Sequence, residues 1–233
     1  FQVEIDPYAR RVLAKHWPDV RRHDDVRTFP AGDGADWRCD VIAGGFPCQD
    51  ISVAGKGAGI AEGTRSGLWS EYVRIIRLLR PRVVLVENVS ALLARGLGRV
   101  LGDLAACGFD AEWDCLPASA FGAPHQRDRV FLVAYARGFA GDGRRILDGL
   151  DGLPADRQWG ATQGIESGGG WKRWFGEAVS VVDRAGTVGI VHRMADGVPN
   201  RVDRLRAIGN AVVPQVAEWL GRRIIEAFGR ANP

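Results

Sequence analysis

The chain has 233 residues, 46% of them hydrophobic and 25% charged, with a formal net charge of +3. That length can bury a sizeable core as one domain, or as one domain with a small appendage, and the balance is ordinary for a soluble globular protein. No apolar run approaches the roughly 18 residues of a membrane span, no signal-peptide pattern opens the chain, and so small a net charge names no partner by itself.

In chain order, "FQVEID" reads as the end of a strand, and in "PYARRVLAKHW" Pro7 starts a helix with Val12 and Leu13 on one face. "CDVIAGG" is an apolar strand running into glycines. "SGLWSEYVRIIRLLRP" has apolar residues at helical spacing, a cap at Ser66, and an end before Pro81. "RVVLVENV" suits a strand buried on both faces. "LGRVLGDLAACGF" is a helix closed by Gly108, and "DAEWDCLPA" and "DRVFLVAYA" are two more strands. Alternation of this kind predicts an α/β sheet with helices on both faces. From about residue 137 the texture becomes rich in glycine, arginine and tryptophan without sustained periodicity, which predicts a small irregular domain or an insertion. "VVPQVAEWLGRRIIEAF" then restores an amphipathic helix.

Polar groups at the carboxyl ends of strands face the ligand crevice of an α/β sheet. Glu4, the loop of Cys48, Glu87 with Asn88, and Arg127 with Arg129 are the candidates there. Glu87 interrupts a continuous apolar run, so it reads either as a desolvated carboxyl fit to act as an acid or as a buried glutamate satisfied by backbone amides. The four cysteines, Cys39, Cys48, Cys107 and Cys115, form no CxxC pair, which argues against a zinc site or a thioredoxin-like motif. They read as free thiols in a reducing cytoplasm, three of them as small core residues. Arginine far outnumbers lysine and gathers in the later half, where its planar fork suits phosphates and bases.

"GGFPCQDIS", "ENV", "HQRDRVF" and "AIGNAVVPQV", in this order, closely resemble the blocks of bacterial and phage cytosine-5 DNA methyltransferases, across nearly the whole chain except residues 137–200. The resemblance implies a Rossmann-like S-adenosylmethionine-dependent sheet over residues 1–136, a small target-recognition region over 137–204, and a C-terminal segment and helix over 205–233 that return to the catalytic domain. It implies that Cys48 adds to C6 of cytosine and that Glu87 serves N3. The Phe46 carbonyl would accept from the exocyclic amine, with Gln49 and Ser52 also on the substrate, and Arg127 and Arg129 would hold O2 and the neighbouring backbone. Asn88 would orient the Cys48 loop. Residues 50–67, glycine-rich with Lys56 and Arg65, would close as a lid once the base is flipped out of the duplex.

For the cofactor, S-adenosylmethionine, the resemblance implies Glu4 on the ribose hydroxyls, Ile5 beside the adenine, Asp25 (ahead of Asp24) accepting from the adenine amine and Val26 against the ring. Asn210 and Ala211 would close around the methionine end. Double-stranded DNA is the expected partner, with no membrane and no metal, for a cytoplasmic monomer in a bacterial cell or phage-infected host, in restriction-modification or anti-restriction. A catalytically inactive DNA-binding remnant and a tRNA-modifying relative are the alternatives. Trp159, Trp171 and Trp174, with Arg144, Arg145, Lys172 and Arg173, either meet DNA or build a small local core. Two departures from the family stand out. His125 replaces a glutamine common before the two arginines. The glycine-rich turn and strand that the family carries about 20 residues before its Glu4 counterpart are not in this sequence, which predicts a fragment of a longer protein or a truncated chain.

Overall fold

A computed structural model describes residues 1–30, 32, 34–47, 68–123, 125–139, 146–147, 179–182, 188–191 and 201–231. The chain divides into two compact units, the first of Phe1–Leu116, Asp128–Asp148 and Leu220–Pro233, the second of Pro117–Arg127 and Gly149–Trp219.

In the first unit, β1 (Gln2–Val3) and β2 (Arg22–His23) form a parallel pair joined through α1 (Pro7–His16). Asp6 caps α1 by accepting from the Tyr8 and Ala9 amides at 2.7 and 3.1 Å, Pro7 takes the first turn, and Lys15 and His16 sit at the end where the helix dipole favours positive charge. The two-residue strand β2 lies in a polar stretch that carries no alternation, so nothing in the sequence marks it.

The larger sheet has the order β3-β4-β6-β5, from β3 (Val41–Gly45), β4 (Val83–Val89), β5 (Phe109–Leu116) and β6 (Arg129–Ala136). β3 and β4 are parallel, and β6 lies antiparallel to both β4 and β5. One face packs against α2 (Trp69–Leu79), α3 (Leu92–Arg95) and α4 (Leu97–Ala106) in a core that includes Val84, Val86 and Leu132 of the sheet with Trp69, Ile76, Val100 and Leu104 of the helices. Val83, Phe131 and Val133, on the other face, are buried too, as the unbroken apolar runs of β4 and β6 predict. A second cluster of Phe29, Ile42, Ile75 and Leu79, with Val3 and Val26 packed against it, ties the β1–β2 pair to α2 and β3.

Ser66, the expected cap of α2, lies outside the described residues. Phe109, read from sequence as the end of a helix, opens β5 instead, after Gly108 turns the chain at φ 87°. In the second unit, β7 (Val179–Val182) and β8 (Val188–Val191) form an antiparallel pair and α5 (Arg201–Asn210) is a further helix. Neither was evident from periodicity. α6 (Pro214–Ala231) is the amphipathic C-terminal helix, with Val216, Leu220 and Ile224 buried at helical spacing.

Candidate active site

β3 and β4 run parallel and end side by side, with Gly45 opposite Glu87. Such strand ends are where an α/β sheet exposes reactive groups. Because the pleat sends neighbouring side chains to opposite faces, Glu87 and Asn88 meet different surroundings. Asn88 is only 3% exposed; its Nδ2 donates to the Phe46 carbonyl at 3.1 Å and its Oδ1 accepts from the Val89 amide at 2.9 Å. Phe46 is buried in the helical core with its ring 5.2 Å from that of Trp69. The amide of Asn88 thus holds the backbone where β3 ends, two residues before Cys48. A carbonyl oxygen has two lone pairs, so the Phe46 oxygen keeps one for a second donor.

Glu87 pairs with Arg129, Nε to Oε1 at 3.1 Å, with side chains 20% and 23% exposed respectively. The topology produces this contact. Arg129 opens β6 opposite Val89 while Phe131 lies opposite Glu87, which makes Arg129 the diagonal neighbour of Glu87 on one face of the ladder. Of the two readings open for Glu87, a desolvated carboxyl or a glutamate satisfied by backbone amides, neither named its partner: the apolar run ends at the rim of the sheet, and the adjoining strand brings a guanidinium there. Gly45 completes the arrangement. A Cβ at this position would lie 2.9 Å from the Glu87 carbonyl oxygen and 3.1 Å from its Oε2.

Glu4 and Asp25 follow the carboxyl ends of the paired strands β1 and β2. Glu4 Oε1 accepts from the Asp6 amide at 2.7 Å, and the neighbouring Ile5 is 63% exposed. Asp25 accepts from the Arg27 guanidinium, at 2.6 Å from Nη2, and from its amide at 2.9 Å; these hydrogen bonds pull its carboxyl down to about 2. Val26 is half-buried against the second cluster. Arg74 of α2 fixes this segment, donating to the carbonyls of Val26 and Phe29 at 2.9 and 2.6 Å while its Nε pairs with Glu71 at 2.7 Å. Two carboxylates beside an exposed aliphatic side chain fit a nucleoside, which offers hydroxyl and amine donors and an apolar ring face.

In the second unit, Arg127 Nη2 donates to the carbonyls of Gly209 and Ala211, both at 2.7 Å. Asn210 and Ala211 are exposed at the end of α5. Cys48, Gln49, Ser52, the expected lid at 50–67 and the three tryptophans at 159, 171 and 174 lie outside the described residues. The other three cysteines pack against the two cores, and burial pushes the Cys39 and Cys115 thiols up, away from the thiolate form. Among the described residues no cluster of His, Cys, Asp and Glu could hold a metal ion, and no helix is long and apolar enough to cross a membrane.

The family profile of the C-5 cytosine-specific DNA methylases matches residues 1–145. The chain belongs to this family. The type II methyltransferase M2.BsuMI of Bacillus subtilis (strain 168) is 29% identical over 284 aligned residues, covering 97% of this chain and 69% of its own length. M.NgoBV of Neisseria gonorrhoeae is 35% identical over 57% of this chain, which spans 33% of that relative. Among solved structures, Schizosaccharomyces pombe Dnmt2 methyltransferase superposes with a TM-score of 0.52 at 18% identity, covering 70% of this chain and 49% of the other, a likeness in fold. The expected family and the Rossmann-like α/β methyltransferase fold hold, and the type II relatives support DNA cytosine-5 methylation.

Within this C-5 cytosine methylase frame, sequence reasoning missed two residues that shape the candidate site and one that anchors the chain after β6. Gly45 gives Glu87 its room, Arg74 holds the Asp25–Val26 segment, and Glu112, 5% exposed in β5, accepts from the Ile146 and Leu147 amides at 2.6 and 3.2 Å. For Gly45 the signal was present in "GGFPC", where the second glycine precedes the motif; the other two act on backbone groups distant in sequence. Gly45→Ala is expected to displace the Glu87 carboxylate and lower the single-turnover methylation rate about tenfold or more, with duplex affinity within about twofold. A rate equal to that of the parent would show that the carboxylate does not need this space.

Proposed function

We propose that the chain carries the catalytic centre of a type II DNA methyltransferase that methylates C5 of a cytosine flipped out of duplex DNA. The observation that carries this reading is the Glu87–Arg129 pair, set at the end of β4 next to the Gly45–Phe46 backbone that leads into Cys48. C5 of cytosine is a weak nucleophile. Addition of the Cys48 thiolate to C6 turns the ring into an enamine, which divides one difficult step into two easier ones. Glu87, oriented by Arg129, serves N3 as electron density moves into the ring, and Arg129 reaches O2. The Phe46 carbonyl, held by Asn88, accepts from the exocyclic amine, which thymine lacks; Gln49 and Ser52 complete the substrate side. After methylation a base takes the C5 proton, the C5–C6 bond re-forms as a double bond, and the thiolate leaves C6.

S-adenosylmethionine, when bound, supplies the methyl group. Glu4 would accept from its ribose hydroxyls, Ile5 and Val26 would cover the adenine, and Asp25 would accept from the adenine amine beside its contact with Arg27. Asn210 and Ala211 would meet the methionine end. Residues 137–204 are assigned to target recognition, and the setting is the cytoplasm of a bacterial cell or phage-infected host, in restriction-modification or anti-restriction. Transfer of tritiated methyl groups to duplex DNA and to tRNA tests the reading. Incorporation into duplex DNA as 5-methylcytosine is expected. Incorporation into tRNA alone overturns the choice of substrate, and duplex binding without transfer to either leaves a DNA-binding remnant.

A further inference from the structure

Arg127 combines two features that the chemistry above does not use. Its backbone lies in the left-handed region at φ 43°, which a residue with a side chain adopts only where its surroundings hold it. Its Nη2 spans the carbonyls of Gly209 and Ala211, both at 2.7 Å, which lie 82 and 84 residues further along the chain. Those carbonyls flank Asn210, the last residue of α5. The final carbonyls of a helix lack partners within it, and the negative end of the helix dipole favours a cation there. The Ala211 amide reaches back to the Ile208 carbonyl at 3.3 Å, and α6 starts at Pro214, so the junction is three residues long.

Two short, charge-assisted bonds hold the peptide that enters Asn210 and the peptide that leaves Ala211, so the chain is tied on both sides of the Asn210–Ala211 step. An extended run would put residues 127 and 129 on one face, and the left-handed turn at Arg127 breaks that alternation. The two arginines of "HQRDRVF" therefore divide their work: Arg129 meets Glu87, and Arg127 meets the backbone around Asn210.

We propose that Arg127 is a positioning residue that latches the α5–α6 junction and sets Asn210 for binding the amino-acid end of S-adenosylmethionine; the second half rests on the methyltransferase reading. Lysine replaces it only in part, because its ammonium sits on a flexible stem and lacks the fixed, planar N–H directions with which Nη2 meets both carbonyls. The test combines backbone hydrogen exchange over residues 205–216 with calorimetric affinities for S-adenosylmethionine and for duplex DNA, in the parent, Arg127→Ala and Arg127→Lys. Arg127→Ala is expected to speed exchange at the junction and weaken cofactor binding, each by about tenfold, the loss of a hydrogen bond to a charged group. Duplex affinity stays within about twofold, and Arg127→Lys falls between.

Exchange at the junction equal to the parent's overturns the latch, whatever happens to activity. Faster exchange with unchanged cofactor affinity and weakened DNA binding overturns the link to Asn210 and returns Arg127 to the DNA side. Asn210→Ala separates the two kinds of failure. If it leaves cofactor affinity at the parent value, the cofactor role of Asn210 is at fault, and the exchange result alone decides the latch.

Discussion

Cys48→Ser abolishes the covalent complex with duplex DNA containing 5-fluorocytosine, while Cys39→Ser, Cys107→Ser and Cys115→Ser each leave it intact. This is the largest effect expected of any single substitution. Fluorine at C5 cannot leave as a proton does, so the thiol stays bonded to C6 after methylation and the complex survives denaturing electrophoresis. A serine hydroxyl at position 48 is a far weaker nucleophile at neutral pH than a thiolate. Turnover on ordinary DNA falls by about 10⁴-fold or more, the scale on which removal of a covalent nucleophile acts. The three control cysteines pack against the cores, two with thiols that burial holds protonated, so none has the character of an attacking group. A complex that survives Cys48→Ser, or vanishes with a well-folded Cys107→Ser protein, overturns the assignment.

Glu87→Gln lowers the single-turnover rate by about 10²- to 10⁴-fold, the range for a positioned acid or base, and leaves duplex affinity close to that of the parent. Glutamine keeps the shape and can donate a hydrogen bond, but it cannot carry the carboxyl proton. Arg129→Ala falls in the same range, because it removes the partner of Glu87 at 3.1 Å and, on the proposed reading, a donor to O2. The double variant decides whether the two act as one unit. Groups that act together are non-additive, so Glu87→Gln with Arg129→Ala is expected to be little slower than the slower single variant. Multiplicative losses would mean that Arg129 works on the base independently of Glu87.

The relation between sequence and site differs from residue to residue. Strand β4 and helices α1, α2 and α6 were legible because apolar periodicity and caps are local properties: "VVLV" is a buried strand wherever it sits. Cys48, Glu87 and Asn88 stood out as candidates because a thiol after a glycine-rich strand end, and a carboxylate inside an apolar run, contradict their surroundings, while the roles proposed for them come from the resemblance of their motifs. Strand β2 and helix α5 were not legible, since two polar residues in a ladder and a helix of low amphipathicity leave no periodic trace.

By itself the sequence determined the kind of fold, the family and which residues are candidates for the chemistry. Those follow from residue types and spacings that no packing can alter. Only the tertiary structure decided what each group touches. Nothing local says that β6 enters between β4 and β5 and runs antiparallel, yet that insertion carries Arg129 to Glu87. Likewise the period-two pleat makes adjacent residues diverge, sending Asn88 to the Phe46 carbonyl and Glu87 to the arginine. The contacts of Arg127 with residues 209 and 211 are of the same kind: they join segments far apart in the chain, and only folding brings such segments within a hydrogen bond's length.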